Sequence, residues 1–216
     1  MNTKSIALAV LGLSLLVPST ASAALIAKDT FNASSVGGLQ GQSGGTGWSA
    51  SWVADALFQV QSDVVPEGSK AARVTMIPAY EPDATRAFPA LTVGTVSFHM
   101  GKDGIYQAPS FSLRSGDTWA TTVFLGSDVQ QGRGWFVREG GTEILIAPYT
   151  IGTFGEVTME FDTVTDQYRV SIDGAPYTQW FGFITPVDSV DTVWLRGNSS
   201  SSESENLYWD KIVIKD

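Results

Sequence analysis

Few residues in this sequence have the types and spacing that catalysis requires. The best pair of carboxylates is Glu160 and Asp162. Residues two apart in a strand point to the same side and lie about 6.5–7 Å apart at Cα. Glycoside hydrolases use two carboxylates together, about 5–5.5 Å apart in retaining enzymes. Glu160 is therefore a candidate catalytic residue, and the alternative is that both side chains line a solvated strand face.

The only histidine is a second candidate. His99 lies in the stretch "SFHMGKDGIYQAP", and Tyr106 follows it closely. The ordinary histidine pKa of about 6.5 suits proton transfer at neutral pH. The alternative is a surface or hydrogen-bonded histidine without a chemical role. The sequence has no cysteine nucleophile. It also lacks a histidine-rich zinc site, a nucleophile elbow and a phosphate-binding loop.

Aromatic residues beside polar ones indicate a binding surface. The apolar faces of sugar rings stack on flat aromatic side chains, while polar neighbours bond the hydroxyls. Trp194 is the first choice because its strand neighbours are the better core residues. The candidate ligand-binding residues are Trp194, Arg196, Glu160, Arg169 and Trp135. They fall into separate sets, Trp194 with Arg196 and Glu160 and Trp135 with Arg133 and Arg138, and Trp180 with Gln179 is a further set. A polar face that holds Glu160, Arg169, Trp194 and Arg196 together requires their strands to share one sheet, which the sequence does not decide. The alternative is that each tryptophan serves the core.

These candidates lie in short runs in which polar and apolar residues alternate. Successive side chains of a strand point to opposite faces of a sheet, so this alternation is typical of half-buried strands. Turn residues separate the runs every eight to twelve positions, which predicts an all-β sandwich or barrel. The runs Glu156–Asp162 and Gln167–Asp173 are joined by a short connection. They predict a hairpin in which Glu160 and Arg169 are cross-strand neighbours.

The glycine-rich stretch "GLQGQSGGTGWSASW" carries two of the seven tryptophans. Glycine permits positive φ and close approach of the backbone, so the stretch can fold over a sheet edge. We expect a lid in which Trp48 closes one end of the sandwich. The alternative is a loop that offers its indoles to a ligand.

Residues 1–23 read as an export signal. Lys4 precedes an apolar run, and Ala21-Ser22-Ala23 is typical of a cleavage site. We expect a secreted protein, extracellular or periplasmic, with residues 24–216 as a single domain. The net charge of −9 argues against nucleic acid and anionic lipid as partners. We find no second apolar run of the kind that would predict a membrane anchor, so we expect no membrane insertion. The same negative charge disfavours binding of a strongly polyanionic glycan, unless basic residues cluster at the binding site.

Three segments resemble secreted bacterial domains of the concanavalin A-like lectin/glucanase superfamily, which includes laminin-G-like modules. These are "DTFNASSVGGLQGQSGGTGWSASW", "GEVTMEFDTVTDQYRVSIDG" and "NLYWDKIVIKD". The resemblance implies an all-β, two-sheet antiparallel β-sandwich of the jelly-roll type. It also implies a structural calcium ion where the first and last strands meet, with Asp29 and Asp210 as ligands. The alternative is that Asp29 caps a turn and Asp210 faces water.

The resemblance implies several functions, because one fold can carry unrelated activities. The first is lectin-like binding of a polysaccharide or glycoconjugate at the aromatic and polar sheet face. The second is a polysaccharide lyase or glycoside hydrolase that uses His99, Tyr106 or Glu160. Glucanases of this fold carry the pattern Glu-x-Asp-x-Glu on one strand, and here Val164 replaces the last glutamate. Alginate-lyase-like enzymes carry a Gln-x-His pair, and here Ser97 stands in place of the glutamine. The third is a structural protein of an extracellular matrix or surface assembly.

Overall fold

The structure is a computed structural model that describes residues 23–128, 132–198 and 203–216. The predicted export signal lies outside these residues, apart from its last position, and it stays a prediction.

Within the described residues the backbone forms β-strands and no helix, which confirms the all-β prediction. This part of the chain accordingly has no helix of the length and apolarity needed to cross a membrane. The strands are, in chain order, β1 (Leu25–Asp29), β2 (Gly37–Gly38), β3 (Val53–Ala54), β4 (Phe58–Gln61), β5 (Ala71–Thr75), β6 (Asp83–Leu91), β7 (Val93–Lys102), β8 (Ala108–Ser115), β9 (Thr118–Asp128), β10 (Gly132–Glu139), β11 (Thr142–Pro148), β12 (Phe154–Asp162), β13 (Gln167–Ile172), β14 (Phe181–Gly182), β15 (Val190–Asn198) and β16 (Asn206–Lys215).

The strands of the described residues form two sheets. Sheet A has the order β14-β13-β12-β7-β16-β5-β4-β2, with β1 also paired to β16. Sheet B has the order β11-β10-β9-β8-β15-β6-β3. The paired strands are antiparallel in both sheets. This architecture confirms the predicted two-sheet sandwich of the jelly-roll type.

The core lies between the sheets and follows the alternation seen in the sequence. Val157 and Met159 of sheet A and Val193 and Leu195 of sheet B are fully buried. The rings of Phe98 in β7 and Phe111 in β8 stack between the two layers. Side chains at the intervening positions point away from the core, so each sheet has one outer face.

The glycine-rich stretch between β2 and β3 folds over the core as a lid, but Trp52 and not the predicted Trp48 is the residue that it buries most deeply. Trp52 has no exposed surface, and its ring stacks on Phe31. Trp48 is half-buried and its ring centroid lies 6.1 Å from that of Trp52. Gly47 has φ +78°, and a Cβ there would lie 1.8 Å from the Ile26 carbonyl oxygen. Glycine therefore lets the lid pack directly against β1, because there is no space for a Cβ at this position.

Candidate functional site

The outer face of sheet B contains a cavity of about 250 Å³. Strands β8, β9, β10, β11 and β15 form it, together with the last residue of β7 and the loop that joins β7 to β8. Along most of these strands the lining residues alternate with residues of the core. In β15, for example, Arg196 lines the cavity while Leu195 is buried between the sheets. We refer to this site as the sheet B cavity.

Aromatic rings form one part of the cavity lining. Phe124 and Phe136, on neighbouring strands, stack with ring centroids 5.4 Å apart. Beside them, the Trp119 Nε1–H donates to the Ser112 hydroxyl and the Thr121 carbonyl, both at 3.1 Å. These bonds fix the orientation of the indole. The cavity therefore has flat, pre-positioned apolar surfaces.

Charged side chains form the rest of the lining. Arg138 forms an ion pair with Glu143, and both line the cavity. Arg196 forms an ion pair with Glu81. The Arg138 guanidinium also lies 5.2 Å from the centroid of the Trp119 ring. Polar groups and apolar rings thus meet in one concave site, as is usual for ligand-binding pockets.

The loop from β7 to β8 forms one rim of the cavity and is held by a buried carboxylate. Glu205 accepts hydrogen bonds from the backbone N–H groups of Ile105 at 2.6 Å, Tyr106 at 2.8 Å and Gln107 at 2.8 Å. Only 7% of Glu205 is exposed. From the sequence, its place in a serine-rich loop suggests a surface position, and this is wrong because the three N–H groups it binds are distant in the chain.

Lys102 lies beneath the same loop and also lines the cavity. It is 3% exposed, and its Nζ donates to the Gln107 carbonyl at 2.8 Å. Burial lowers the pKa of Lys102 to about 8, although nearby Glu205 acts in the opposite direction. The cavity therefore contains a buried cation that the sequence analysis did not single out.

No protein-family model matches this sequence, and no curated protein matches it. Solved structures do match. SCLam, a non-specific endo-β-1,3(4)-glucanase from family GH16, has a TM-score of 0.60 at 10% identity, over 93% of this chain and 92% of that chain. The Crh5 transglycosylase has a TM-score of 0.55 at 19% identity, over 88% and 83%. A sialidase has a TM-score of 0.62 at 12% identity, over 76% of this chain. This chain spans only 16% of the sialidase's length.

This chain has the concanavalin A-like jelly-roll fold. At these identities the likeness shows the fold alone, so the site must be argued from its own residues.

Trp194 and Arg196 lie on the outer face of sheet B of the jelly roll, as predicted. Trp194 is half-buried, and its Nε1–H donates to Asp83 at 3.0 Å. The guanidinium carbons of Arg114 and Arg196 lie 4.7 and 5.2 Å from its ring centroid. The Trp119 ring packs nearly perpendicular to it, with 5.5 Å between the ring centroids. Trp194 therefore supports Arg196 and Trp119 beside the cavity and does not line it.

Glu160 and Arg169 are cross-strand partners, as predicted, but they belong to sheet A. Their ion pair, at 2.7 Å, lies on the outer face of that sheet, on the opposite side of the jelly roll from Trp194. The predicted single face is therefore wrong. The Arg169 guanidinium carbon lies 4.6 Å from the ring centroids of both Tyr177 and Trp180. We call these four residues, Glu160, Arg169, Tyr177 and Trp180, the sheet A cluster.

Trp135 is buried, which corrects its assignment to the ligand-binding face. It is 2% exposed and packs against Tyr149 in the interior. Arg138 is three positions away, so strand geometry places it on the other face. Phe136 and Arg138 point into the cavity and Trp135 points into the core. The odd spacing between Trp135 and Arg138 can be read from the sequence, and it already shows that the two side chains point to opposite faces. The choice of Trp135 as a ligand-binding residue is therefore wrong.

The catalytic candidates do not meet in one site. His99 lies on the outer face of sheet A, opposite Glu156 and Asp210 in the neighbouring strands, and burial lowers its pKa. Tyr106 lies on the rim of the sheet B cavity. A lyase site that uses both residues is therefore excluded by the fold.

Glu160 does not form a hydrolase pair with Asp162. The Asp162 carboxylate accepts the backbone N–H of Val164 at 2.8 Å, which stabilises the turn after β12. Glu160 is paired with Arg169. Both carboxylates lie on sheet A, away from the cavity. They line a solvated strand face, which was the alternative to a catalytic pair.

The two predicted calcium ligands have different partners. Asp29 and Asp210 are both fully buried. Asp29 accepts hydrogen bonds from the Phe31 N–H at 2.8 Å, the Trp52 Nε1–H at 3.0 Å and Arg86 at 2.5 Å. A guanidinium therefore compensates its charge where a calcium ion was expected. The described residues contain no group of three or more His, Cys, Asp or Glu side chains suited to a metal.

Asp210 has a different environment. Its carboxylate accepts the N–H of Lys211 at 2.7 Å and the N–H of Glu67 at 3.3 Å. Among the described residues it has no ion-pair partner, since Lys211 pairs with Glu67. Burial raises the pKa of Asp210 to about 7. Lys211 has φ +50°, and the register of β16 against β7 shifts just after Asp210.

Proposed function

We propose that this protein binds a polysaccharide or glycoconjugate in the sheet B cavity. The observation that supports this most strongly is the meeting of Trp119 and Phe124 with Arg138 and Arg196 in one cavity. Its volume of about 250 Å³ is just below the ~300 Å³ at which typical ligand pockets begin. This size suits one sugar ring or a chain end better than a long segment of polysaccharide.

The carboxylates around the cavity favour binding over hydrolysis. Among the described side chains, Glu143 is the one carboxylate in the lining, and it is paired with Arg138. Glu205 is committed to three backbone N–H groups. Two-carboxylate glycoside hydrolysis needs an acid and a second carboxylate on either side of the bond. The cavity offers no such pair.

One alternative is favoured by the position of Tyr106. Its side chain lies on the cavity rim and is exposed, and Gln107 follows it. A polysaccharide lyase could use such a phenol for proton transfer. Ultraviolet absorbance of unsaturated product would detect this activity. Product that forms with the wild type and disappears in Tyr106→Phe would establish the lyase and displace simple binding.

Substitution of one tryptophan on each side of the sandwich tests the binding proposal. A glycan array with the wild type selects ligands, and calorimetry then compares Trp119→Ala with Trp180→Ala. Trp119→Ala should weaken binding at least about 10-fold, because it removes a stacking surface worth about 1.4 kcal/mol or more. Trp180 is 38% exposed on the other side of the jelly roll, in the sheet A cluster. Its substitution should leave the affinity unchanged.

The opposite pattern would place binding on the sheet A cluster, and an array without ligands would reject the proposal. Circular dichroism of both variants checks that each remains folded.

We also propose that any calcium dependence of the fold resides at Asp210 and not at Asp29. Calcium favours oxygen ligands, and Asp210 is a buried carboxylate without an ion-pair partner among the described residues. Millimolar calcium should then raise the melting temperature of the wild type and leave that of Asp210→Asn unchanged. Equal melting curves of the wild type with calcium and with chelator would reject the ion.

Secretion follows from the same reading of the sequence and is part of the proposal. A glycan-binding protein outside the cytoplasm would meet polysaccharide directly. Detection of the chain in the culture medium or periplasm, with its N-terminus at residue 24, tests it.

A further inference from the structure

The charge of the sheet B cavity differs from that of the whole chain. The chain has a net charge of −9. The described side chains that line the cavity include Lys102, Arg138 and Arg196 but a single carboxylate, Glu143. A local excess of positive charge at a concave site raises the local concentration of anions.

The three cations do not have equivalent partners. Arg138 is paired with Glu143, and Arg196 is paired with Glu81. These two guanidiniums are thus largely compensated. Among the described residues no salt bridge involves Lys102. Lys102 is therefore the cation of the cavity lining that has no salt bridge among the described residues, and the nearby Glu205 carboxylate acts on it only through its charge.

Lys102 is buried in a way that calls for an anion. An ammonium group has three donors, and within the described part of the chain Nζ donates one hydrogen bond, to the neutral Gln107 carbonyl. The residue is 3% exposed and lines the cavity. Lysine is rarely buried to this extent unless it is paired. Glu205 is near, but its oxygens accept the N–H groups of the loop.

The loop geometry fixes the ammonium at the cavity. A Cβ at Gly104 would lie 1.9 Å from the Glu205 carboxyl carbon, so a side chain there would displace the carboxylate from its hydrogen bonds with the loop. The tight approach of Glu205 holds the loop, and the Gln107 carbonyl then holds Nζ. A ligand anion would meet a cation that is already oriented and partly desolvated, so the free-energy cost of ordering it on binding is small.

We propose that the sheet B cavity selects anionic glycans, whose carboxylate or sulfate group binds the Lys102 ammonium while a sugar ring contacts Trp119 and Phe124. This inference rests on the proposed function and names its ligand class. Carboxylate and sulfate share the chemistry of an oxyanion that accepts charge-assisted hydrogen bonds. The experiment distinguishes the two.

The test compares charged and neutral forms of the same polymers. The carboxylate probes are polygalacturonate and alginate, each with its carboxyl-reduced derivative. The sulfate probe is a sulfated galactan with its desulfated form. Calorimetry on the wild type should show that the charged member of at least one pair binds on the order of 10- to 100-fold more tightly, as expected for a hydrogen bond to a charged group.

Lys102→Met keeps most of the side-chain length and removes the charge. It should abolish the preference for the charged member while binding of the neutral member persists. Lys215→Met is the matched control, because it removes one positive charge from an exposed position in β16 of sheet A. It should keep the preference.

If Lys102→Met does not fold, ionic strength replaces it as the measurement on the wild type. Added salt should then weaken binding of the charged probe and spare the neutral one. Equal affinities within every pair, or a preference that survives Lys102→Met, would overturn the anion assignment and leave the cavity as a binding site for neutral glycans. Loss of all binding from the panel, charged and neutral, would instead reject the proposed function itself.

Discussion

Replacement of Arg86 by methionine should destabilise this jelly roll more than loss of any surface ion pair. Arg86 is 3% exposed and its partner Asp29 is fully buried, with 2.5 Å between the charged atoms. The guanidinium also donates to the carbonyls of Gly44 at 2.8 Å and Ala50 at 2.9 Å, both in the lid. Its loss leaves a buried carboxylate without a counter-charge and two lid carbonyls without donors.

Removal of one partner of a buried pair costs about 3–5 kcal/mol. Urea unfolding measures this directly. With a slope of about 1–3 kcal/mol per molar urea, the midpoint should fall by about 2 M. The matched control is Arg169→Met, which breaks the partly exposed pair with Glu160. That change should cost less than about 1 kcal/mol.

The double variant Asp29→Asn/Arg86→Met separates charge from packing. It should recover part of the stability lost in Arg86→Met, because the uncompensated carboxylate is gone. A loss in Arg86→Met no larger than in Arg169→Met would refute the reasoning. It would mean that the carboxylate is satisfied by other groups, and calcium at Asp29 would have to be reconsidered.

Two further predictions concern the lid and the final strand. Gly47→Ala should destabilise the fold by about 1–3 kcal/mol in thermal unfolding, since φ is +78° and its Cβ would meet a backbone carbonyl at 1.8 Å. Gly140→Ala, with φ +54° and open space around the Cβ, should cost less, and equal losses would contradict the close packing of the lid. The stability of Asp210→Asn relative to the wild type should increase as pH rises, because asparagine does not titrate. Burial raises the native pKa to about 7 from 3.8, so the protonated acid favours the folded state below pH 4 and this contribution is lost as pH rises through 7. In chelator, the unfolding free energy of Asp210→Asn should exceed that of the wild type by an amount that grows from pH 4 to pH 8, up to about 4 kcal/mol, and the difference in melting temperature should grow with it. A difference that does not change with pH would contradict the raised pKa of Asp210.

The sequence predicted the parts of the fold that depend on neighbours in the chain. Alternation in β15 placed Val193 and Leu195 in the core and Trp194 outside it. The short connection after β12 placed Glu160 opposite Arg169. Both inferences follow from the two-residue period of a strand and the geometry of a hairpin, which need no distant partner.

The parts that depend on distant pairing could not be obtained in this way. Alternation does not say which sheet a strand joins, so Glu160 and Arg196 were assigned to one face although they lie on opposite sides of the sandwich. Asp29 was assigned to calcium on the family resemblance, and its pairing with Arg86 could not be foreseen because Arg86 is remote in the chain. The role proposed for Lys102 likewise depends on a distant contact, the approach of Glu205 from the loop before β16.

The seven tryptophan indoles give the most direct test of where the ligand binds. Two-dimensional ¹H–¹⁵N spectra should be recorded while the tightest-binding oligosaccharide of the panel is added. Binding in the sheet B cavity predicts that the indole N–H of Trp119 shifts most, that of Trp194 shifts less, and that of Trp180 stays in place. A shift confined to Trp180, or no shift of the Trp119 signal at saturation, would contradict the account.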